Sequence, residues 1–187
     1  MQRISIVGNS GTGKTTMARA IAGALGIPHL ELDSVHHLPN WEPIERGQFR
    51  EKVGQFVAGD AWVVDGNYSA VQDLVWQRAD AVVWLDLPRR TIMRQLVPRT
   101  LRRMVTREEL WNGNTESWRD QFSLDPTRSI IVWAWTEYHQ YVSRYSQAQR
   151  DPANQHLTFI RVRSRAARER LVAELAAQAT VGGVAAE

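Results

Sequence analysis

The stretch Ile4 to Thr16, ISIVGNSGTGKTT, constrains the fold more than any other part of the chain. An apolar run ends at Gly8. Gly8, Asn9, Ser10, Gly11, Thr12, Gly13, Lys14 and Thr15 then match G-x-x-x-x-G-K-[ST] without a gap. The pattern requires a strand before it and a helix after it, and KTTMARAIAGAL carries apolar residues at helical spacing up to Gly26. So glycine-rich a loop can turn its backbone N–H groups inward around an anion, and the helix opening near Lys14 adds the positive end of its dipole. The spacing G-x-G-x-x-G is absent, which excludes a dinucleotide fingerprint.

The loop predicts a nucleoside triphosphate as ligand. Lys14 reaches its outer phosphates, the Thr15 hydroxyl ligates Mg²⁺, and Thr16 belongs to the same binding segment. Two other readings of such a loop fail on sequence. A guanine-reading Asn-Lys-x-Asp segment is missing, since the only other lysine, Lys52, follows Glu51 in REKV. No LSGGQ-type signature is present, and 187 residues are too few for a motor ATPase with its accessory parts.

Alternating strands and helices continue along the chain. PHLELD predicts a second strand ending at Asp33, a polar helix covers roughly 43–58, AWVVDGNY is a third strand running into a turn, and ADAVVWLDLP is a fourth, stopped by Pro88. From Thr91 to Tyr145 the pattern is helical, broken at WNGN and LDPT, with Trp133 and Trp135 read as core filling. HLTFIRV is the last strand, and the last helix is capped by Ser164. Five apolar strands separated by helices predict an α/β sandwich around a parallel sheet. No linker or repeat divides the chain, so one domain spanning 1–187 is expected, with a loose tail over 180–187.

Composition narrows the setting. The chain has no cysteine, which removes disulfides and thiolate zinc sites. No apolar run is long enough to span a bilayer, so no membrane association is expected. Met1, Gln2 and Arg3 lead straight into a strand, and a reducing cytoplasm is the expected compartment. Lys14 and Lys52 are the only lysines among 23 basic residues, so the positive charge is carried by arginine, whose planar fork holds phosphate oxygens bidentately.

IVGNSGTGKTTMARAIAGALGIPHLELD, VVDGNY, and WLDLP before an Arg-rich helix together resemble the adenylate-kinase-related small P-loop kinases often labelled DNA topology modulation proteins, from Ile4 to about Arg165. The resemblance implies a five-stranded parallel sheet ordered 2-3-1-4-5, a helical Arg-rich lid at about 99–125 over ATP, and a phosphoryl acceptor beside the second and third strands. It implies an ATP-dependent phosphotransferase, nucleoside or nucleotide kinase-like, using Mg²⁺ and a small-molecule acceptor.

Candidate site residues follow. Asp33, at the carboxyl edge of the sheet, is the implied base for the acceptor hydroxyl; capping of the turn with Ser34 is its competing use. Asp65 reaches the same edge, for Mg²⁺ or the acceptor, with a plain Asp-Gly turn as alternative. Asn67 and Tyr68 stand beside the acceptor, and His36, His37, Pro39 and Trp41 would line its pocket; two adjacent histidines do not make a metal site. Arg89, Arg90, Arg94, Arg99, Arg102, Arg103 and Arg107 fall in a stretch with no acid. Arg99 and Arg103, one helical turn apart, are the implied lid arginines on the transferred phosphoryl group, although Pro98 should end or kink the helix just before them. Arg163 is implied at the adenine ring. DGNY lacks the arginine of the adenylate kinase segment DGFPR, which weighs against AMP and leaves a hydroxyl-bearing metabolite open. The rival is a nucleotide-dependent regulatory protein binding nucleic acid through the arginines. A net charge of only +3, and no aromatic residues among them, weigh against it.

Overall fold

The computed structural model describes residues 1–184, with side chains up to Ala179. Five strands form one parallel sheet: β1 (Arg3–Gly8), β2 (His29–Glu31), β3 (Trp62–Asp65), β4 (Ala81–Leu85) and β5 (Thr158–Val162), in the order β2-β3-β1-β4-β5. The helices between them are α1 (Lys14–Leu25), α2 (Leu32–His36), α3 (Arg46–Val57), α4 (Ser69–Arg78), α5 (Arg89–Thr106), α6 (Trp118–Gln121), α7 (Ile130–Thr136), α8 (Tyr138–Ala148) and α9 (Arg165–Val184). Short 3₁₀ turns lie at Pro39–Trp41, Trp111–Gly113 and Pro152–Asn154.

Successive side chains on a strand point to opposite faces, so the continuous apolar runs of β1, β3 and β4 fill two cores. Ile4, Ile6, Val63, Val83 and Leu85 pack on one face with Met17, Ala18 and Ile21 of α1 and Leu171 and Leu175 of α9. Val7, Val64, Val82 and Trp84 pack on the other with Phe49 and Val53 of α3, Val71 and Val75 of α4, and Tyr145 of α8. Each fully buried aliphatic side chain contributes about 1.5–3 kcal/mol, so two layered cores supply the driving force without a covalent staple. Asp80, just before β4, accepts from the backbone N–H groups of Gln2 and Arg3 and from the Arg3 guanidinium at 2.7–3.1 Å, clipping the chain start to the sheet.

Four expectations change. The second strand stops at Glu31, not Asp33: β2 is an edge strand whose last partner is Asp65, and beyond that pair the Ser34 hydroxyl donates to the Glu31 carbonyl and turns the chain into α2. Asp33 therefore stands on a short helix. Pro98 neither ends nor splits α5, because it lies on the exposed side while Leu96, Thr100 and Met104 hold the helix down on either side of it. Trp135 is about half exposed rather than core, with the Arg89 guanidinium 4.2 Å above its ring. The expected loose tail begins inside α9, which continues to Val184; residues 185–187 lie outside those described. The Ser164 cap is present, its hydroxyl accepting from Ala167 N–H at 3.1 Å.

Candidate active site

The phosphate loop joins β1 to α1, and its three glycines all take backbone conformations that side chains avoid. Two of these cannot be replaced without collision: a Cβ on Gly8 would meet the Leu85 carbonyl oxygen at 2.7 Å, and one on Gly11 would meet Leu96 of α5 at 2.8 Å. Asn9 pins the loop through both ends of its amide, donating to the Ala134 carbonyl at 2.8 Å and accepting from Ser10 N–H at 2.7 Å. Its own carbonyl accepts from the Thr12 hydroxyl at 2.8 Å and the Lys14 ammonium at 3.2 Å. Burial pulls the Lys14 pKa below its ordinary value, against the opposing charges of Asp33 and Asp65. A desolvated ammonium of this kind has much to gain from a phosphate.

Thr15 occupies the first turn of α1. Its hydroxyl lies 2.8 Å from Glu31 Oε1 and 2.8 Å from Asp65 Oδ2. One hydroxyl carries one proton and can donate to only one carboxylate, so the second contact is between oxygens with no proton between them, while Arg19 lies 3.5 Å from the other Glu31 oxygen. A hydroxyl and two carboxylates at the end of the sheet are the hard oxygen donors that Mg²⁺ takes, and these residues fit that ion. Asp65 is 2 % exposed and its other oxygen is held by His29 Nε2 at 2.8 Å, which fixes its rotamer. Glu31 escaped the sequence reading. Its signal was the pairing Glu31 to Asp65 between adjacent parallel strands, which puts both carboxylates at one edge.

The segment Asp65-Gly66-Asn67-Tyr68 sends one side chain to each part of the site. Asp65 faces Thr15. Gly66 leaves no room for a Cβ, which would stand 2.8 Å from Leu32. Asn67, expected at the acceptor, instead clasps Gly8, accepting from its N–H at 3.1 Å and donating to its carbonyl at 2.6 Å, with the Tyr145 hydroxyl donating to Asn67 at 3.0 Å. Its amide is spent on the phosphate loop. Tyr68 donates to Asp33 Oδ1 at 2.6 Å and has His37 Nε2 at 3.2 Å. His36, expected at the acceptor, packs its ring on Tyr68 and Phe49 with centroids 4.4 and 5.2 Å away. It makes no hydrogen bond through its buried Nδ1.

The two arginines expected in a lid differ. Arg99 is largely buried and, among the described residues, its guanidinium has no hydrogen bond or ion pair; burial and the neighbouring Arg103 lower its pKa, with Glu116 and Asp33 opposing. Arg103 is already engaged, with Glu116 at 3.3 Å and Glu108 at 3.5 Å. Beyond them the chain returns as a tip, Trp111 to Thr115, that seats on the segment 34–41. Asn112 donates to the Ser34 and His37 carbonyls, and the buried Asn114 donates to Leu38 O at 2.9 Å and accepts from Trp41 N–H at 2.8 Å. Trp41, about two-fifths exposed, donates from its indole to Thr115 O at 3.1 Å, so it belongs to this seam.

Arg163 does not face the loop. It is exposed and bonds Asp86 at 3.3 Å. The arginine of this region that reaches the phosphate loop is Arg168, whose Nη1 lies 3.0 Å from the point where a Cβ on Gly13 would stand. Thr16 is exposed on α1.

The family model "ATPase family associated with various cellular activities (AAA)" matches residues 4–86, ending just past β4. A search of the curated proteins returns no match. Among solved structures the chain is similar to shikimate kinase from Bacteroides thetaiotaomicron (16 % identity, 93 % of this chain and 96 % of that one, TM-score 0.57). It is similar as well to shikimate kinase from Acinetobacter baumannii in complex with shikimate (18 % identity, 94 % and 90 %, TM-score 0.56). A sugar kinase from Janibacter sp. HTCC2649 matches at 16 % identity, over 93 % and 91 % of the two chains, with TM-score 0.50. The fold is that of a P-loop nucleoside triphosphatase, with the sheet order expected from the sequence.

Proposed function

We propose that this protein is an ATP-dependent phosphotransferase that moves the γ-phosphoryl group of ATP to a hydroxyl of a small acceptor, in a single domain whose lid is the region 99–125. The observation that carries the reading is a carboxylate, Asp33, held by Tyr68 at the same sheet edge as a complete phosphate loop and the Thr15, Glu31 and Asp65 oxygens. A nucleotide switch or a binding module has no use for a positioned base at that edge. The shikimate and sugar kinases of similar fold support a hydroxyl acceptor by analogy.

Phosphoryl transfer depends on position and charge more than on covalent chemistry. The inward N–H groups of the loop and the α1 N-terminus hold the phosphates, and Lys14 swings from Asn9 O onto their outer oxygens. Thr15, Glu31 and Asp65 would hold Mg²⁺, which neutralises phosphate charge when bound. Arg99, with no hydrogen bond or ion pair among the described residues, would take the charge on the transferred group. Asp33 accepts the proton from the acceptor hydroxyl as its oxygen bonds to phosphorus and the bond to the ADP oxygen breaks. The segment 34–41, including His37 and Trp41, borders the acceptor under the lid tip. Two of the α5 arginines face inward and Arg102 is paired with Glu108 at 2.7 Å, which leaves nucleic-acid binding the weaker reading.

The test is ATP turnover with Mg²⁺ against a panel of nucleosides, nucleoside monophosphates, shikimate and sugars, with Lys14→Ala and Asp33→Asn alongside. One acceptor should raise turnover well above the ATP-only rate, and both variants should lose at least about 10²-fold. Turnover raised by DNA or RNA and indifferent to Asp33 would replace the kinase reading with the rival.

A further inference from the structure

We propose that Tyr68 is a positioning residue for the base: its hydroxyl, oriented by His37, holds one oxygen of Asp33 and leaves the other to take the acceptor's proton. This rests on the phosphotransferase reading above. Asp33 and His37 come from α2 and the residue after it, whereas Tyr68 immediately precedes α4, so the contact joins two elements that nothing local brings together.

Proton counting fixes the direction of each bond. Asp33 acting as a base is ionised and can only accept, so the 2.6 Å contact is the Tyr68 hydroxyl donating its single proton to Oδ1. With that proton committed, His37 Nε2 at 3.2 Å can only donate to the Tyr68 oxygen. His37 is therefore the Nε2–H tautomer, and its Nδ1, buried without a partner, is the bare nitrogen. Burial, followed by the Asp33 charge, raises the Tyr68 pKa well above its ordinary value, so the proton stays on the phenol. The ring packs in a cluster with His36 at 4.4 Å and Phe49 at 5.3 Å, which are themselves 5.2 Å apart.

What the brace prevents is as telling as what it holds. Lys14 and Arg99 both feel the charge of Asp33, yet among the described residues Asp33 forms no ion pair with either. A carboxylate paired with one of these cations would be a weaker base. Tyr68 holds Asp33 by a neutral donor, which fixes one oxygen without placing a cation on it.

The test pairs kinetics with spectroscopy. In Tyr68→Phe, assayed with Mg²⁺, ATP and the panel acceptor of highest kcat/KM, kcat should fall about 10- to 100-fold while KM for ATP stays within about twofold. Combined with Asp33→Asn, it should add no further loss. In the unaltered protein, ¹⁵N NMR of His37 should report the Nε2–H tautomer, and Tyr68→Phe should release that preference. An unchanged kcat in Tyr68→Phe beside an inactive Asp33→Asn overturns the brace and leaves the phosphotransferase reading standing. A raised acceptor KM with unchanged kcat makes Tyr68 a substrate contact instead. The Nδ1–H tautomer overturns the proton order in a measurement that needs no variant to fold. Full activity in Asp33→Asn removes the base and the brace with it, while transfer to the acceptor keeps the phosphotransferase reading.

Discussion

The two halves of the site are built in different materials. The donor half, from Gly8 to Thr15, is a backbone cradle: positive-φ glycines packed against Leu85 and Leu96 and pinned by the Asn9 and Asn67 amides, set at the end of a strand paired on both sides. The half proposed to take the acceptor is two short segments, 34–41 and 111–116, joined by asparagine side chains to backbone groups about seventy-five residues away. A backbone cradle tolerates almost no substitution but presents one shape to any triphosphate. A side-chain seam can be rebuilt residue by residue, which suits the half that distinguishes one acceptor from another.

Gly11→Ala should break the donor half most severely. Its Cβ would strike Leu96 at 2.8 Å at a φ of +81°, and loss of ATP binding with several kcal/mol of destabilisation is expected, read by calorimetry and chemical denaturation. Next come two asparagines whose amides are fully used. Asn67→Ala and Asn114→Ala should each cost about 2–3 kcal/mol, from roughly 1 kcal/mol per lost bond. They should differ kinetically: Asn67→Ala raises KM for ATP through Gly8, and Asn114→Ala raises KM for the acceptor while leaving ATP affinity alone. The same effect on both constants in both variants would erase the contrast between the halves.

Glu31→Gln should weaken Mg²⁺ dependence about tenfold in half-saturating concentration, since it removes one of the two carboxylates at Thr15. Acid should act on the other half. Burial lowers the pKa of both His36 and His37, so the folded protein binds fewer protons there than the unfolded chain and stability rises with pH. That stability is complete above the ordinary histidine value of about 6.5 and is lost as pH falls below it toward the lowered folded values. Melting temperature should decline from pH 7 to 5.5, and His36→Gln/His37→Gln should flatten the decline. The smallest effect is expected at Gly113→Ala in the lid tip: φ is +76° but nothing lies within 4 Å of the new Cβ, so the cost is about 1 kcal/mol of backbone strain.

The donor half was legible in the sequence because its determinants are consecutive: strand, eight-residue loop and helix follow one another, and the chemistry is the chain order. Asp65 was legible for the same reason, as the last residue of an apolar run. Glu31 was not, because where β2 stops is decided by its neighbour's length. The division of labour between Arg99 and Arg103 was invisible too, since it depends on Glu108 and Glu116 folding back onto one and not the other. Asn67 and Tyr68 are expected at the acceptor; the Asn67 amide instead grips Gly8, and the Tyr68 hydroxyl is bonded to Asp33. Pro98 misled in the opposite direction: a local rule predicted a break that burial on the far side of α5 overrode.

The sheet order has a consequence for synthesis. β1 is made before the other four strands, yet its partners are Trp62–Asp65 on one side and Ala81–Leu85 on the other. At roughly 5–20 residues per second, the first strand waits several seconds for any neighbour. The complete phosphate-binding motif therefore exists as sequence long before it has a shape, and a nascent chain released before Leu85 should carry every residue of that motif and retain no nucleotide.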